Sequence, residues 1–173
     1  MTTVREGSVE WTFEPGWWVS KYDEWTSYKK HFQSFGDSSK AVDFVAVSPD
    51  RRTLWLIEAK DYTTAPRTRD KGPLWLEIAT KVRDTLAGLF RAALNGSGDE
   101  QDIARAALRV AKIRVVLHLE LPRKPTILFG AGLDRADIQQ KLRSAKGVHA
   151  IDRHPLVVDS TSDSLPWRTA RKP

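Results

Sequence analysis

Cysteine is absent from this 173-residue chain. Its absence excludes disulfides, thiolate metal centres and a cysteine nucleophile, and it fits a reducing compartment. Long apolar runs are missing too. None approaches the roughly 20 residues a membrane-spanning helix needs, and the N-terminus, MTTVREGSVEW, lacks the apolar core of a signal peptide. A soluble, cytoplasmic protein without a membrane partner is expected. The ten glycines are scattered, so no Gly-rich phosphate loop forms, and no G-x-S-x-G elbow is present. Histidine is scarce: His31, His149 and His154 are isolated, and His118 has no second histidine at ligand spacing. His118, Glu120 and Arg114 read as the polar face of one strand.

What is present begins with charge. Twenty-eight Lys and Arg against 22 Asp and Glu leave a formal net charge of +6. An excess of that size suits a polyanionic partner, nucleic acid above all. Hydrophobic residues make up 40%, and seven Trp add large buriable surfaces. Trp11, Trp17, Trp18 and Trp25 suit a core or a docking face better than a base-stacking platform. The length fits one domain, placed at residues 1–159, with a basic, loose tail at 160–173.

Periodicity gives the element order. Residues 8–13 alternate as a short strand. Trp18, Tyr22, Trp25, Tyr28 and Phe32 are spaced by three and four and predict one helical face. Residues 41–48 and 53–59 are apolar strands separated by the turn Ser48-Pro49-Asp50-Arg51, which predicts an antiparallel hairpin. Residues 61–73 form a basic loop, and 76–94 and 99–111 read as helices, the second capped by Asp99. Residues 112–121 form an alternating strand, 133–144 a modest helix, and 154–159 an edge strand. A strand, helix pair and strand in succession imply a crossover and a parallel pair. The expected fold is α/β, a central mixed β-sheet flanked by helices.

The chemistry concentrates in residues 42–60, VDFVAVSPDRRTLWLIEAK. Glu58 and Lys60 are two apart near a strand end and share a face. Asp43 opens the preceding strand, so a hairpin brings all three to one end of the sheet. Charges on strands this apolar need a partner or a metal. Two carboxylates suit Mg2+, which takes one or two of them and completes its octahedron with water or phosphate. Such an ion polarises phosphate and acidifies bound water, and a nearby lysine orients that water. The competing reading is a salt bridge at a solvated strand end.

Asp43, Glu58 and Lys60 in this order resemble the PD-(D/E)xK nuclease superfamily, which includes restriction endonucleases and Holliday-junction resolvases. The resemblance covers about 100 residues, with Val42 in the place of the name-giving proline. It implies a restriction-endonuclease-like core in αβββαβ order. It also implies a Mg2+-dependent nuclease, with Mn2+ as substitute, hydrolysing DNA phosphodiesters in prokaryotic defence or DNA processing. Asp43, Glu58 and Lys60 would be catalytic, with Asp43 and Glu58 as metal ligands. Glu24, with Asp23 beside it, would supply an acid from the first helix. Arg67, Arg69 and Lys71 in the loop, with Lys81 and Arg83 on the following helix, would bind the nucleic-acid backbone. Targeting would come from a homodimer or a larger protein partner. Two other readings stand beside this one: a non-catalytic nuclease-fold subunit binding DNA or protein, and a small basic RNA-binding domain.

Overall fold

The computed structural model describes residues 1–65, 67–68, 71–122 and 133–171. Its scaffold is a five-stranded mixed sheet in the order β3-β4-β5-β6-β7. These strands are β3 (Trp18–Lys21), β4 (Phe44–Val47), β5 (Thr53–Asp61), β6 (Lys112–Glu120) and β7 (Leu156–Val158). The expected hairpin is present: β4 pairs antiparallel with β5, from Phe44 opposite Ile57 to Val47 opposite Leu54. Ser48 makes the turn. Its hydroxyl donates to Asp50 and accepts from the Thr53 amide, while Arg51 takes a positive φ of 59°.

β5 and β6 run parallel, with Glu58 level with Leu117. A parallel neighbour requires a crossover, supplied here by α2 (Leu74–Asn95) and α3 (Gly98–Ala107). β7 pairs parallel with β6 at the far edge. Alternation then sorts the strand residues into two cores. Val45, Val47, Leu54, Leu56, Val115, Leu117 and Leu119 face the helices, joined by Ile78, Val82 and Leu89 of α2 and by Ile138 and Leu142 of α4 (Arg135–Leu142). Phe44, Ala46, Trp55, Ile57 and Val116 face the other way.

Among the described residues, that second face carries no helix. It is covered by a three-stranded antiparallel sheet, β1-β2-β8, made of β1 (Thr2–Glu6), β2 (Val9–Phe13) and β8 (Arg168–Arg171). Trp11, Phe13 and Trp167 pack from it onto Phe44 and Trp55. The general class holds, a mixed α/β fold with a central mixed sheet, and the helices gather on one of its faces.

Two expectations change. The helix expected from Trp18 is instead β3 on the sheet edge, a 3-10 turn at Tyr22–Glu24, and the short α1 (Thr26–His31). Trp18 pairs opposite Val47 and is partly exposed, while Tyr22, Trp25, Tyr28 and Phe32 do share the helix-side core. The strand that precedes the Asp43 strand is therefore residues 18–21. The tail is not loose over its described length. Trp167 is buried, Arg168–Arg171 pair with β2, and the Ser160 amide donates to Glu120 at 2.7 Å. His118 takes a structural place: it lies fully buried 5.1 Å from the Trp11 ring, with Nε2 2.9 Å from Glu120 Oε1.

Gly88 shows how closely the 3-10 turn sits on α2. A Cβ there would stand 2.0 Å from the Tyr22 hydroxyl, so this helical glycine is fixed by contact rather than by its own propensity.

Among the described residues, no helix is long and apolar enough to cross a membrane. The Trp167 ring stands 4.9 Å from Phe13, 5.0 Å from Trp55 and 5.7 Å from Trp17. Trp167→Ala should therefore cost about 3–5 kcal/mol, seen as a lower urea midpoint. A midpoint equal to wild type would mean the tail is not part of the core.

Candidate functional site

Asp43 lies just before β4, with its side chain on the helix face of the sheet beside that of Glu58. The Ala59 amide donates to Asp43 Oδ2 at 2.7 Å, which locks the start of β4 to the end of β5. The approach is fixed by α2: the Val42 amide donates to Thr85 Oγ1 and the Lys40 amide to Asp84. Glu58 and Lys60 share the helix face, as their spacing predicts, and Lys60 Nζ is 2.7 Å from Glu58 Oε1. From above, α2 adds Lys81, whose Nζ is 2.5 Å from Glu58 Oε1 and 3.8 Å from Asp43 Oδ1. Four of the expected residues, Asp43, Glu58, Lys60 and Lys81, thus form one cluster.

Glu77 belongs to it as well. It sits one helical turn before Lys81, 3.2 Å from Lys60 and 2.7 Å from Arg67. Its place could be read from the sequence, because residues four apart on a helix share a face. Arg67 also donates to the Tyr62 hydroxyl and to the Lys71 carbonyl, which ties Tyr62 and Lys71 to the guanidinium that holds Glu77. Lys71 is exposed, and Arg69 lies outside the described residues. Arg83 points outward and pairs with Asp84, away from the cluster.

Glu24 is not placed as a ligand. It is mostly exposed and pairs with Lys21 at 2.9 Å, and Lys21 also holds Glu6. The acid turned toward the site from the 3-10 turn is its neighbour Asp23. Burial raises its pKa, and the charge of Asp43 raises it further. Its Oδ1 is buried without a partner among the described residues. Which of two adjacent acids faces inward depends on the turn geometry, which the sequence pattern does not carry.

Electrostatics follow from burial. Glu58 is only 1% exposed. Burial, with the charge of Asp43 behind it, pushes its pKa up to about 7 against the pull of Lys81 and Lys60. Burial also raises Asp43, opposed by Lys81 and by the Ala59 hydrogen bond. Burial works against the Lys60 ammonium, but Glu58, Glu77 and Asp43 outweigh it and its pKa rises. For Glu77, burial is outweighed by Lys60 and Arg67, and its pKa falls.

The cluster can be tested for Mg2+. Among the described residues, no three His, Asp or Glu side chains are grouped to hold a metal. A cation would therefore rest on two carboxylates, with water or phosphate completing its shell. Asp43 and Glu58 fit that role, because both reach one ammonium, and Glu58 Oε2 is buried with no partner among the described residues.

Between the ordinary carboxyl pKa of 4.5 and about 7, folded Glu58 holds a proton that the unfolded chain has released. Its contribution to stability is thus complete below 4.5 and is lost as pH rises to about 7, on the order of 1–3 kcal/mol. Urea midpoints of wild type and Glu58→Gln should diverge in favour of the variant from pH 5 to 7.5. A gap that does not change with pH would refute the assignment.

No known family model and no solved structure matches the chain. The chain is similar to a cysteine–tRNA ligase of Neisseria meningitidis (serogroup A / serotype 4A), at 32% identity over 168 residues that cover 80% of the chain. It spans 24% of that relative's length. This similarity overturns the expectation of a Mg2+-dependent DNase of defence or DNA processing, together with its alternative of a nuclease-fold subunit. The relative is an enzyme, and its name places it with tRNA ligation, not with phosphodiester hydrolysis. Acids and a lysine at a strand end specify a charged site, and that chemistry is not tied to one process.

Proposed function

We propose that this chain is a tRNA-engaging module related to part of a tRNA ligase, gripping the RNA backbone at the strand ends that carry Asp43 and Glu58. The observation that carries this reading is the 32% identity to a cysteine–tRNA ligase across 80% of the chain. A tRNA ligase must hold tRNA, and a segment of such an enzyme without a glycine-rich phosphate loop is better suited to holding RNA than to activating a nucleotide. The net charge of +6 favours a polyanion. In this reading the PD-(D/E)xK resemblance reflects a shared way of presenting acids and a lysine at strand ends.

Each residue then has a role. Asp43 and Glu58 would hold Mg2+, which supplies a positive centre for phosphate oxygens. Lys60, anchored by Glu77, presents an ammonium beside it. Arg67 fixes Glu77 and the loop, keeping Lys60 in register. Lys71, exposed at the loop's end, extends the basic surface outward.

Fluorescence anisotropy with a tRNA and a DNA duplex of matched phosphate number tests the reading. The tRNA should bind about 10-fold or more tightly than the duplex, with EDTA and Lys60→Ala each weakening it about 5–10-fold, the order of one lost phosphate contact. Equal affinity for both nucleic acids, or no binding of tRNA, would sink it.

A further inference from the structure

Lys60 and Lys81 both contact Glu58, but they are not equivalent. Lys60 has a second acid, Glu77, which would keep it neutralised if Glu58 were taken by another cation. Among the described residues, Lys81 is paired only with Glu58 and Asp43, the two carboxylates suited to a divalent ion. Its Nζ therefore stands where such an ion would bind. An ammonium and a divalent cation cannot share that position, because their repulsion at contact distance in a half-buried site is severe. Two carboxylates balance one divalent ion, so the lysine charge becomes surplus once the ion enters.

We infer that Lys81 is an internal counterion occupying the cation position between Asp43 and Glu58, and that a divalent cation displaces it and frees its ammonium for the phosphate ligand. The inference rests on the proposed cation site and adds a regulatory step to it. Without the ion, Lys81 keeps the buried acids neutral and is withheld from the ligand. With the ion, Asp43 and Glu58 are neutralised by the metal, and the long flexible stem of Lys81 carries its charge outward. Cation and polyanion then promote each other's binding, since each favours the state with Lys81 released.

Mn2+ binding to the full chain, followed by loss of the free-ion paramagnetic resonance signal without nucleic acid, tests this. Lys81→Met keeps the stem and removes the competing charge, so it should bind Mn2+ about 10-fold more tightly than wild type. Arg83→Met makes the same change in net charge on the outer face of α2 and should leave affinity within about 2-fold, as expected for a solvent-screened charge. Asp43→Asn should abolish binding. If wild type binds Mn2+ and Lys81→Met binds it no more tightly, the counterion inference fails while the cation site stands. If neither binds, the cation site fails and the inference with it. Should Lys81→Met not fold, wild type gives the second readout. The acylation rate of Lys81 by an amine-reactive ester, read by mass spectrometry, should rise several-fold with saturating Mg2+, and an unchanged rate overturns the inference.

Discussion

A carboxylate buried as deeply as Glu58 cannot stand alone. Removing one charge from water without compensation costs several kcal/mol, so the fold must bring cations to it. Lys60 comes along its own strand and Lys81 from α2 above. Because Lys81 also reaches Asp43, and Asp43 accepts the Ala59 amide, one buried charge joins β4, β5 and α2. The position of α2 over the sheet end, and with it the crossover that makes β5 and β6 parallel, is bound to the neutralisation of Glu58.

The two faces of the sheet divide the labour. The helix face holds the charged cluster, and the opposite face is an aromatic layer of Trp11, Phe13, Trp55 and Trp167 capped by the small sheet. Alternation along β5 makes the division inevitable: Trp55 and Ile57 go to one side, Glu58 and Lys60 to the other, with both charges beneath α2. Substitutions that disturb the aromatic layer act on the site only through the sheet they share.

How far the sequence could be read depended on the range of the contacts involved. The β4–β5 hairpin and the meeting of Asp43 with Glu58 and Lys60 follow from a period of two and a short turn, both local. Residues 18–32 misled because Tyr22, Trp25, Tyr28 and Phe32 do lie on one side, yet a strand, a 3-10 turn and a short helix place them there; only pairing with β4 makes residues 18–21 a strand. β8 was hidden for the same reason, since its partner β2 lies at the other end of the chain. At the site, Asp23 needed the turn geometry to be known, whereas Glu77 was legible from its four-residue spacing to Lys81 on the expected helix. The process served was the least legible part, because acids and lysines at a strand end state a chemistry that different nucleic-acid enzymes share.

The pairing of β2 with β8 joins residues 9–12 to residues 168–171, the longest-range contact in either sheet. Closing so long a loop is entropically costly and comes late. The order of synthesis reinforces this, since Trp167 leaves the ribosome after every other residue of the aromatic layer. Until then Trp11, Phe13 and Trp55 lack one of their covering rings and β2 keeps an open edge, which is the kind of surface that invites misassociation. The three-stranded sheet thus cannot be completed until residues 168–171 reach β2, and the open edge and uncovered rings before that are the surfaces most exposed to wrong partners.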